Sequence, residues 1–167
     1  IQYVLNLVKA MGAERTLVVV GHHKEQVRSL LEGEIQHRKI EVVVQDSLSG
    51  TGHAVMMTRA LLAHYQGTVM ILNGDHPLLT AETASALLKV HREEGATLTL
   101  LTAHLENPQG YGRILRGREG QVTGIVEERD ATAQQRRITE INTGVYVAQA
   151  DLLFRLLEEV KPGNAQG

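Results

Sequence analysis

The hydrophobic and polar positions of this chain follow two different periods along most of its length. Short continuous apolar runs, typical of strands buried on both faces, alternate with segments whose apolar residues recur every three or four positions. The runs that predict strands cover residues 16–20, 40–45, 69–72, 97–103 and 144–148. The helical patterns cover residues 1–11, 24–32, 51–65, 80–94 and 150–160. This alternation predicts an α/β fold with a mostly parallel central sheet and helices on both faces.

The pattern changes after residue 107. Residues 113–116 and 121–127 alternate in polarity on either side of a turn at 117–120, which predicts a small β-hairpin outside the parallel sheet. A short helix is predicted over residues 131–137. A chain of 167 residues with no visible linker or repeat fits within one domain.

Composition excludes several classes of function. The formal net charge is −2 and the basic residues are scattered, so nucleic acid is not expected as a partner. No apolar run approaches the roughly 20 residues that a membrane span needs. The absence of cysteine excludes disulfides and cysteine nucleophiles, and it is compatible with a reducing compartment. We therefore expect a cytoplasmic protein without a membrane partner.

A glycine-bearing loop connects the strand predicted at 40–45 to the following helix. It contains Gly50 and Thr51, and a strand, a glycine loop and a helix start in this order are common in nucleotide and phosphate sites. Gln45 ends the strand, and its amide offers a donor and an acceptor side by side, which suits the edge of a base. Taken alone, Gln45 is better explained as a solvated loop residue.

Asp75 directly follows the strand predicted at 69–72. Its carboxylate is therefore expected at the carboxyl edge of the sheet, where open α/β folds bind ligands. One carboxylate in such a place suits Mg²⁺, which is usually held by one or two protein carboxylates and substrate phosphates. The alternative is that residues 74–77 form a turn in which Asp75 has only a conformational role.

Three more positions lie at strand ends or in adjoining loops, namely Gly112, Glu127 and Asn142. Gly112 can offer its backbone N–H to a ligand, although the segment also fits a plain turn. Taken singly, Glu127 and Asn142 are better explained as a surface carboxylate or a loop cap than as ligand contacts. Together with Gln45 and Asp75, these residues are predicted to face one cleft. No nucleophile elbow and no Walker lysine motif is present, which argues against an esterase and a P-loop enzyme.

Taken in order, five segments resemble a known family. They are residues 45–54, 74–78, 110–114, 124–132 and 140–144, and the closing residues 164–167 also match. The ordered set resembles the uridyltransferase domain of the bacterial bifunctional N-acetylglucosamine-1-phosphate uridyltransferase/glucosamine-1-phosphate acetyltransferase family. Single motifs of this kind recur in other sugar nucleotidyltransferases, but the ordered set is specific.

The resemblance implies a Rossmann-like nucleotidyltransferase fold and a Mg²⁺-dependent reaction. UTP and N-acetylglucosamine 1-phosphate would be converted into UDP-N-acetylglucosamine, a precursor of peptidoglycan and lipopolysaccharide, and pyrophosphate. The residues that it assigns are Gln45, Gly50 and Thr51 for uracil, Asp75 for Mg²⁺ and catalysis, and Gly112, Glu127 and Asn142 for the amino sugar.

The resemblance also implies that residues 1–167 are a single incomplete nucleotidyltransferase domain. In the family, a glycine-rich phosphate loop with an arginine and a later lysine precedes the position of Ile1, and a second metal ligand follows that of Gly167. The chain by itself is therefore expected to be inactive or very weak. Three alternatives stay open, namely another sugar-1-phosphate nucleotidyltransferase, a non-catalytic nucleotide-sugar-binding domain and a purely structural α/β domain. The sequence also leaves open an acetyltransferase half and a homo-oligomeric parent.

Overall fold

The computed structural model describes residues 1–22, 24–37, 40–47 and 49–160. Its helices are α1 (Gln2–Ala10), α2 (Lys24–Leu30), α3 (Glu32–Gln36), α4 (Gly50–Met56), α5 (Ala81–Glu93) and α6 (Ala150–Glu159). Its strands are β1 (Leu17–Val20), β2 (Glu41–Val44), β3 (Thr68–Ile71), β4 (Leu98–His104), β5 (Arg113–Arg116), β6 (Val122–Val126) and β7 (Glu140–Gln149). Two short 3₁₀ turns cover Arg59–Leu62 and Gln135–Arg137. The closing motif at 164–167 lies outside the described residues.

The helix predicted over residues 24–32 is two helices that meet at Leu31. The Leu31 side chain is fully buried and belongs to a cluster with Val18, Val20 and Ile40. Its backbone N–H donates to Val27 O, 3.1 Å away, which closes α2 before α3 begins. The apolar period predicted this segment as one helix, and it gave no sign of the break at Leu31.

The helix predicted over residues 51–65 ends early, at Met56. The Thr58 hydroxyl donates a 2.7 Å hydrogen bond to Val55 O, a carbonyl of the last turn of the helix. A threonine hydroxyl in this role competes with the helical ladder. A 3₁₀ turn follows, and Leu61 within it is 41% exposed.

The strands form two separate sheets. β1 and β2 pair in parallel, with Leu17 opposite Glu41 and Val20 opposite Val44. The second sheet is built around β7, which pairs with β4 along both its halves, with β3 in its second half and with β5 at Ile141. β6 completes the sheet by pairing with β5, and α5 and α6 pack against β7.

The prediction of a mostly parallel central sheet is wrong for the described part of the chain, although the α/β class is confirmed. Only the β1–β2 pair is parallel, and every pair in the second sheet is antiparallel. The reason is that β7 runs opposite to β3 and β4 and lies between them. An apolar run indicates a buried strand but not its direction. The predicted β5–β6 hairpin is confirmed, and it extends the second sheet.

A cavity of about 890 Å³ separates the two sheets. Its walls include Val18 of β1, Val69 of β3 and Val4 of α1, and no described strand bridges β1 and β3 by hydrogen bonds. Each sheet has its own buried apolar cluster beside this cavity. Among the described residues, no helix is both long enough and apolar enough to cross a bilayer.

Candidate functional site

Gln45 lies at the mouth of the cavity, where its side chain is held by the glycine loop. The strand ladder fixes its backbone, since Gln45 N donates to Val20 O at 2.8 Å. Its side-chain Nε2 donates to Gly50 O at 3.1 Å and lies 3.0 Å from His53 Nδ1. When His53 carries its ring proton on Nε2, Nδ1 is an acceptor and both Gln45 N–H groups are used. The amide oxygen Oε1 is then the group left for a ligand.

Gly50 and Thr51 form the start of α4 and line the same cavity as Gln45. Gly50 has φ +87°, a left-handed conformation that residues with a Cβ rarely adopt. That conformation directs the Gly50 carbonyl to the Gln45 amide. The structure thus brings the three predicted nucleotide-binding residues together.

Asp75 is exposed and forms no ion pair with a described residue. It lies in the turn that follows β3, and its neighbours Asn73 and Gly74 line the cavity although Asp75 itself does not. The described residues contain no group of three or more His, Cys, Asp or Glu side chains placed to hold a metal ion. A single open carboxylate fits Mg²⁺, which keeps several waters and takes its other ligands from substrate phosphates.

The three residues expected to bind the sugar lie close together: Gly112, Glu127 and Asn142. The Asn142 backbone N–H donates to Gly112 O at 2.9 Å. A Cβ on Gly112 would lie 3.0 Å from Glu127 Oε1, so the carboxylate lies against the glycine backbone. The three residues expected to bind the sugar therefore form one cluster, built by the β5–β7 pairing and by the end of β6.

Tyr146 belongs to the same cluster. Asn142 Nδ2 donates a 2.6 Å hydrogen bond to the Tyr146 hydroxyl, and Asn142 Oδ1 accepts from Gly144 N at 3.0 Å. Burial raises the pKa of Tyr146, and the negative charge of Glu127 adds to this effect. The tyrosine therefore stays neutral at ordinary pH and holds the Asn142 amide in one orientation.

Asn73 connects the turn of Asp75 to this cluster. Its side-chain amide occupies the space where a Cβ on Gly144 would be, and Gly144 has φ +75°. Glycine at this position of β7 therefore permits the close approach of the two segments. The turn at 73–75 thus contacts the strand that carries Asn142, and it also lines the cavity that Gln45 faces.

Sequence reasoning assigned no role to Asn73 and Tyr146. Tyr146 is four positions after Asn142 within β7, and residues at even spacing share one face of a strand, so a signal was present. For Asn73 the only signal is its place directly before the turn of Asp75. Its contact with Gly144 depends on the antiparallel placement of β7, which the apolar pattern did not predict.

Comparison with known proteins agrees with this architecture. The family model described as nucleotidyl transferase matches residues 1–166. The chain is 43% identical to the bifunctional protein GlmU of Exiguobacterium sibiricum over the whole chain and 36% of that protein, and 46% identical to GlmU of Geobacter sulfurreducens over 93% of the chain and 32% of that protein. The chain therefore spans about a third of the length of the curated relatives it matches.

A solved structure of UDP-glucose pyrophosphorylase complexed with UDP-glucose has the same fold. The TM-score is 0.69 at 18% sequence identity, with 99% of this chain and 69% of that chain covered. The ordered motifs, the α/β architecture and the match over nearly the whole sequence lead to one conclusion. The chain belongs to the nucleotidyl transferase family.

Proposed function

We propose that this chain carries the uridylyl-transfer site of an enzyme that converts UTP and N-acetylglucosamine 1-phosphate into UDP-N-acetylglucosamine and pyrophosphate. The observation that carries this proposal is the position of the turn at residues 73–75. Asn73 and Gly74 line the cavity with Gln45, the Asn73 amide contacts Gly144 of the strand that carries Asn142, and the turn ends in the exposed carboxylate of Asp75. The GlmU relatives support the same reaction.

The fixed amide of Gln45 supports uracil as the base. With the His53 ring proton on Nε2, the N–H groups of Gln45 donate to Gly50 O and His53 Nδ1, and Oε1 is the polar atom left for a ligand. Uracil presents an N3–H donor, which Oε1 can accept, whereas cytosine presents a lone pair at N3. Gln45 would therefore favour uracil, with Gly50 and Thr51 close to the nucleotide.

The cluster of Gly112, Glu127 and Asn142 suits an N-acetylated sugar. The Glu127 carboxylate can accept a hydrogen bond from a sugar hydroxyl, and the Asn142 amide can serve a second polar group. Gly112 would bind the N-acetyl carbonyl through its backbone N–H. The absence of a side chain on Gly112 leaves the Glu127 carboxylate in place beside it.

The reaction itself needs little acid–base chemistry from the protein. A sugar phosphate oxygen is already ionised, so no general base is required to make it a nucleophile. Catalysis then depends on holding the two anions in line and offsetting their repulsion. Asp75 would be one ligand of Mg²⁺, which when bound supplies positive charge at the phosphates. We propose that this reaction takes place in the cytoplasm.

The test is pyrophosphate release by the complete polypeptide to which this chain belongs. We expect turnover with UTP and N-acetylglucosamine 1-phosphate to exceed turnover with CTP or with glucose 1-phosphate. Asp75→Asn should lower kcat by roughly 100-fold or more, because loss of a charged group at the reaction centre typically removes several kcal/mol of stabilisation. The matched control is Asp151→Asn, an exposed aspartate in the first turn of α6.

Two outcomes would contradict the proposal. Preferred turnover with another sugar 1-phosphate would show a different nucleotidyltransferase. Binding of UDP-N-acetylglucosamine without turnover, unaffected by Mg²⁺ and by Asp75→Asn, would show a non-catalytic binding domain.

A further inference from the structure

Arg113 is a buried cation for which the proposed reaction has no direct use. It directly follows Gly112 at the start of β5, and only 1% of the residue is exposed. Removing a guanidinium from water is costly unless it is paired and hydrogen-bonded. The partners of Arg113 therefore indicate why an arginine is buried at this position.

The guanidinium connects three segments of the chain. Nη1 donates to the carbonyl oxygen of Tyr111, and Nη2 donates to Glu128 Oε2 at 2.6 Å. Nη2 also lies 3.4 Å from Arg136 O, in the second 3₁₀ turn. The hydrogen bond from Arg113 Nη2 to Glu128 Oε2 is the main reason why the pKa of Glu128 is below its usual value. Arg136 supports the same carboxylate, with Nε 3.8 Å from Oε1.

We propose that Arg113 is a positioning residue that holds Gly112 and Glu127 at the spacing needed to bind the amino sugar. Its hydrogen-bond partners are Tyr111, the chain neighbour of Gly112, and Glu128, the chain neighbour of Glu127. A rigid guanidinium that is hydrogen-bonded to Tyr111 and Glu128 fixes the distance between the segment before β5 and the segment after β6. This inference rests on the proposed function, and it adds the residue that sets the sugar site. Arg113 itself contacts no substrate.

Lysine at this position keeps the charge but lacks the fork that reaches Tyr111 O and Glu128 together. In the complete polypeptide, Arg113→Lys should therefore raise KM for N-acetylglucosamine 1-phosphate about tenfold or more, the effect of a misplaced contact in a preorganised site. KM for UTP should stay within about twofold, because the nucleotide loop is a separate segment. Such a split is not expected from a general loss of stability.

The same strand provides a matched control. Arg116 makes a bidentate pair with Glu140, with Nε 2.8 Å from Oε2 and Nη2 2.6 Å from Oε1, and it contacts neither Gly112 nor Glu127. Arg116→Lys should lower the melting temperature while leaving both KM values unchanged. If Arg113→Lys fails to fold, Glu128→Gln removes the charge of the partner while keeping its shape. This variant should raise KM for the sugar phosphate in the same direction by a smaller factor.

The outcomes separate this inference from the proposed function. A normal KM for the sugar phosphate in Arg113→Lys, or an equal rise in both KM values, overturns the positioning role alone. Absence of wild-type turnover with N-acetylglucosamine 1-phosphate overturns the proposed function and the role of Arg113 with it. A selective rise in the sugar-phosphate KM, with Arg116→Lys unaffected, supports both.

Discussion

The backbone of Gly112 and the carboxylate of Glu127 lie so close that a Cβ on the glycine would press against the carboxylate. A Cβ on Gly112 would lie 3.0 Å from Glu127 Oε1 and 3.1 Å from Ile125 Cγ2. Gly112 itself is buried, so the Glu127 carboxylate would have to shift to make room for an added methyl group. A glycine at position 112 therefore lets the Glu127 carboxylate keep its present position, besides any use of the backbone N–H.

Gly112→Ala should selectively weaken binding of the amino sugar. The added methyl group moves the Glu127 carboxylate, and loss of a hydrogen bond to a charged group costs about 1.5–3 kcal/mol, or roughly 10- to 100-fold in KM. KM for UTP should change little. The matched control is Gly124→Ala in the same hairpin, where the nearest atom to a new Cβ is Leu115 Cδ1 at 3.9 Å. Equal effects of the two substitutions would contradict the steric argument.

Gln45→Ala should raise KM for UTP and leave KM for the sugar phosphate unchanged, the reverse of the effect expected for Gly112→Ala. The substitution removes the amide that faces the cavity, and KM for UTP is expected to rise about tenfold, in line with the loss of one or two hydrogen bonds. KM for the sugar phosphate should stay close to the wild-type value. The control is Gln36→Ala in α3, an exposed glutamine whose side chain donates to Glu32 within its own helix. Steady-state pyrophosphate release measures both constants, and an unchanged UTP constant would exclude Gln45 from the nucleotide site.

The sequence was sufficient for the element types and for most of the residue clusters. The period of the apolar residues predicted α1, β1, α5 and α6 nearly to their bounds, because each has a continuous pattern with a clear end. Gly95, directly after the predicted helix end at residue 94, is in the left-handed conformation typical of a helix terminus. Glycine loops and polar residues at strand ends predicted one cleft, whereas the structure gathers these residues in two groups, with Gln45 beside Gly50 and with Gly112 beside Glu127 and Asn142.

The direction and pairing of β7 could not be read from the sequence. A buried strand has the same apolar pattern whether its neighbours are parallel or antiparallel, so residues 144–148 predicted a strand but not its partners. The contact of Asn73 with Gly144 and the burial of Arg113 depend on that pairing. Asn73 and Arg113, which position other residues, were therefore missed, and the ligand contacts assigned to the site residues stay predictions.

Tyr146→Phe tests one of the missed residues. The substitution removes the hydroxyl that accepts from Asn142 Nδ2, and it leaves a partly buried amide without this partner. We expect a loss of about 1 kcal/mol in the free energy of unfolding and a rise of a few-fold in KM for the sugar phosphate. Urea unfolding and steady-state kinetics measure the two effects. Tyr3→Phe, at a tyrosine that is 71% exposed, is the control, and an identical result for both variants would exclude a role for the Tyr146 hydroxyl.

The ion pair between Glu140 and Arg116 should make the stability of the protein sensitive to acid. The hydrogen bond from Arg116, supported by one from Thr102, lowers the pKa of Glu140 from 4.5 to about 2. A carboxylate whose pKa is lower in the folded state contributes stability above its unfolded pKa, and this contribution is lost as the pH falls through the folded pKa. The contribution should therefore be complete above pH 4.5 and absent below about pH 2.

Glu140→Gln removes the titrating group while keeping the shape of the side chain. The difference in the free energy of unfolding between the wild type and this variant should be largest near neutral pH and should shrink between pH 4.5 and about pH 2, because the protonated glutamate resembles glutamine. Urea unfolding at a series of pH values measures this difference. Glu119→Gln, at an exposed glutamate in the hairpin turn, should give a difference that does not change over the same range. A difference for Glu140→Gln that stays constant with pH would mean that the Arg116 pair does not stabilise the charged form of Glu140.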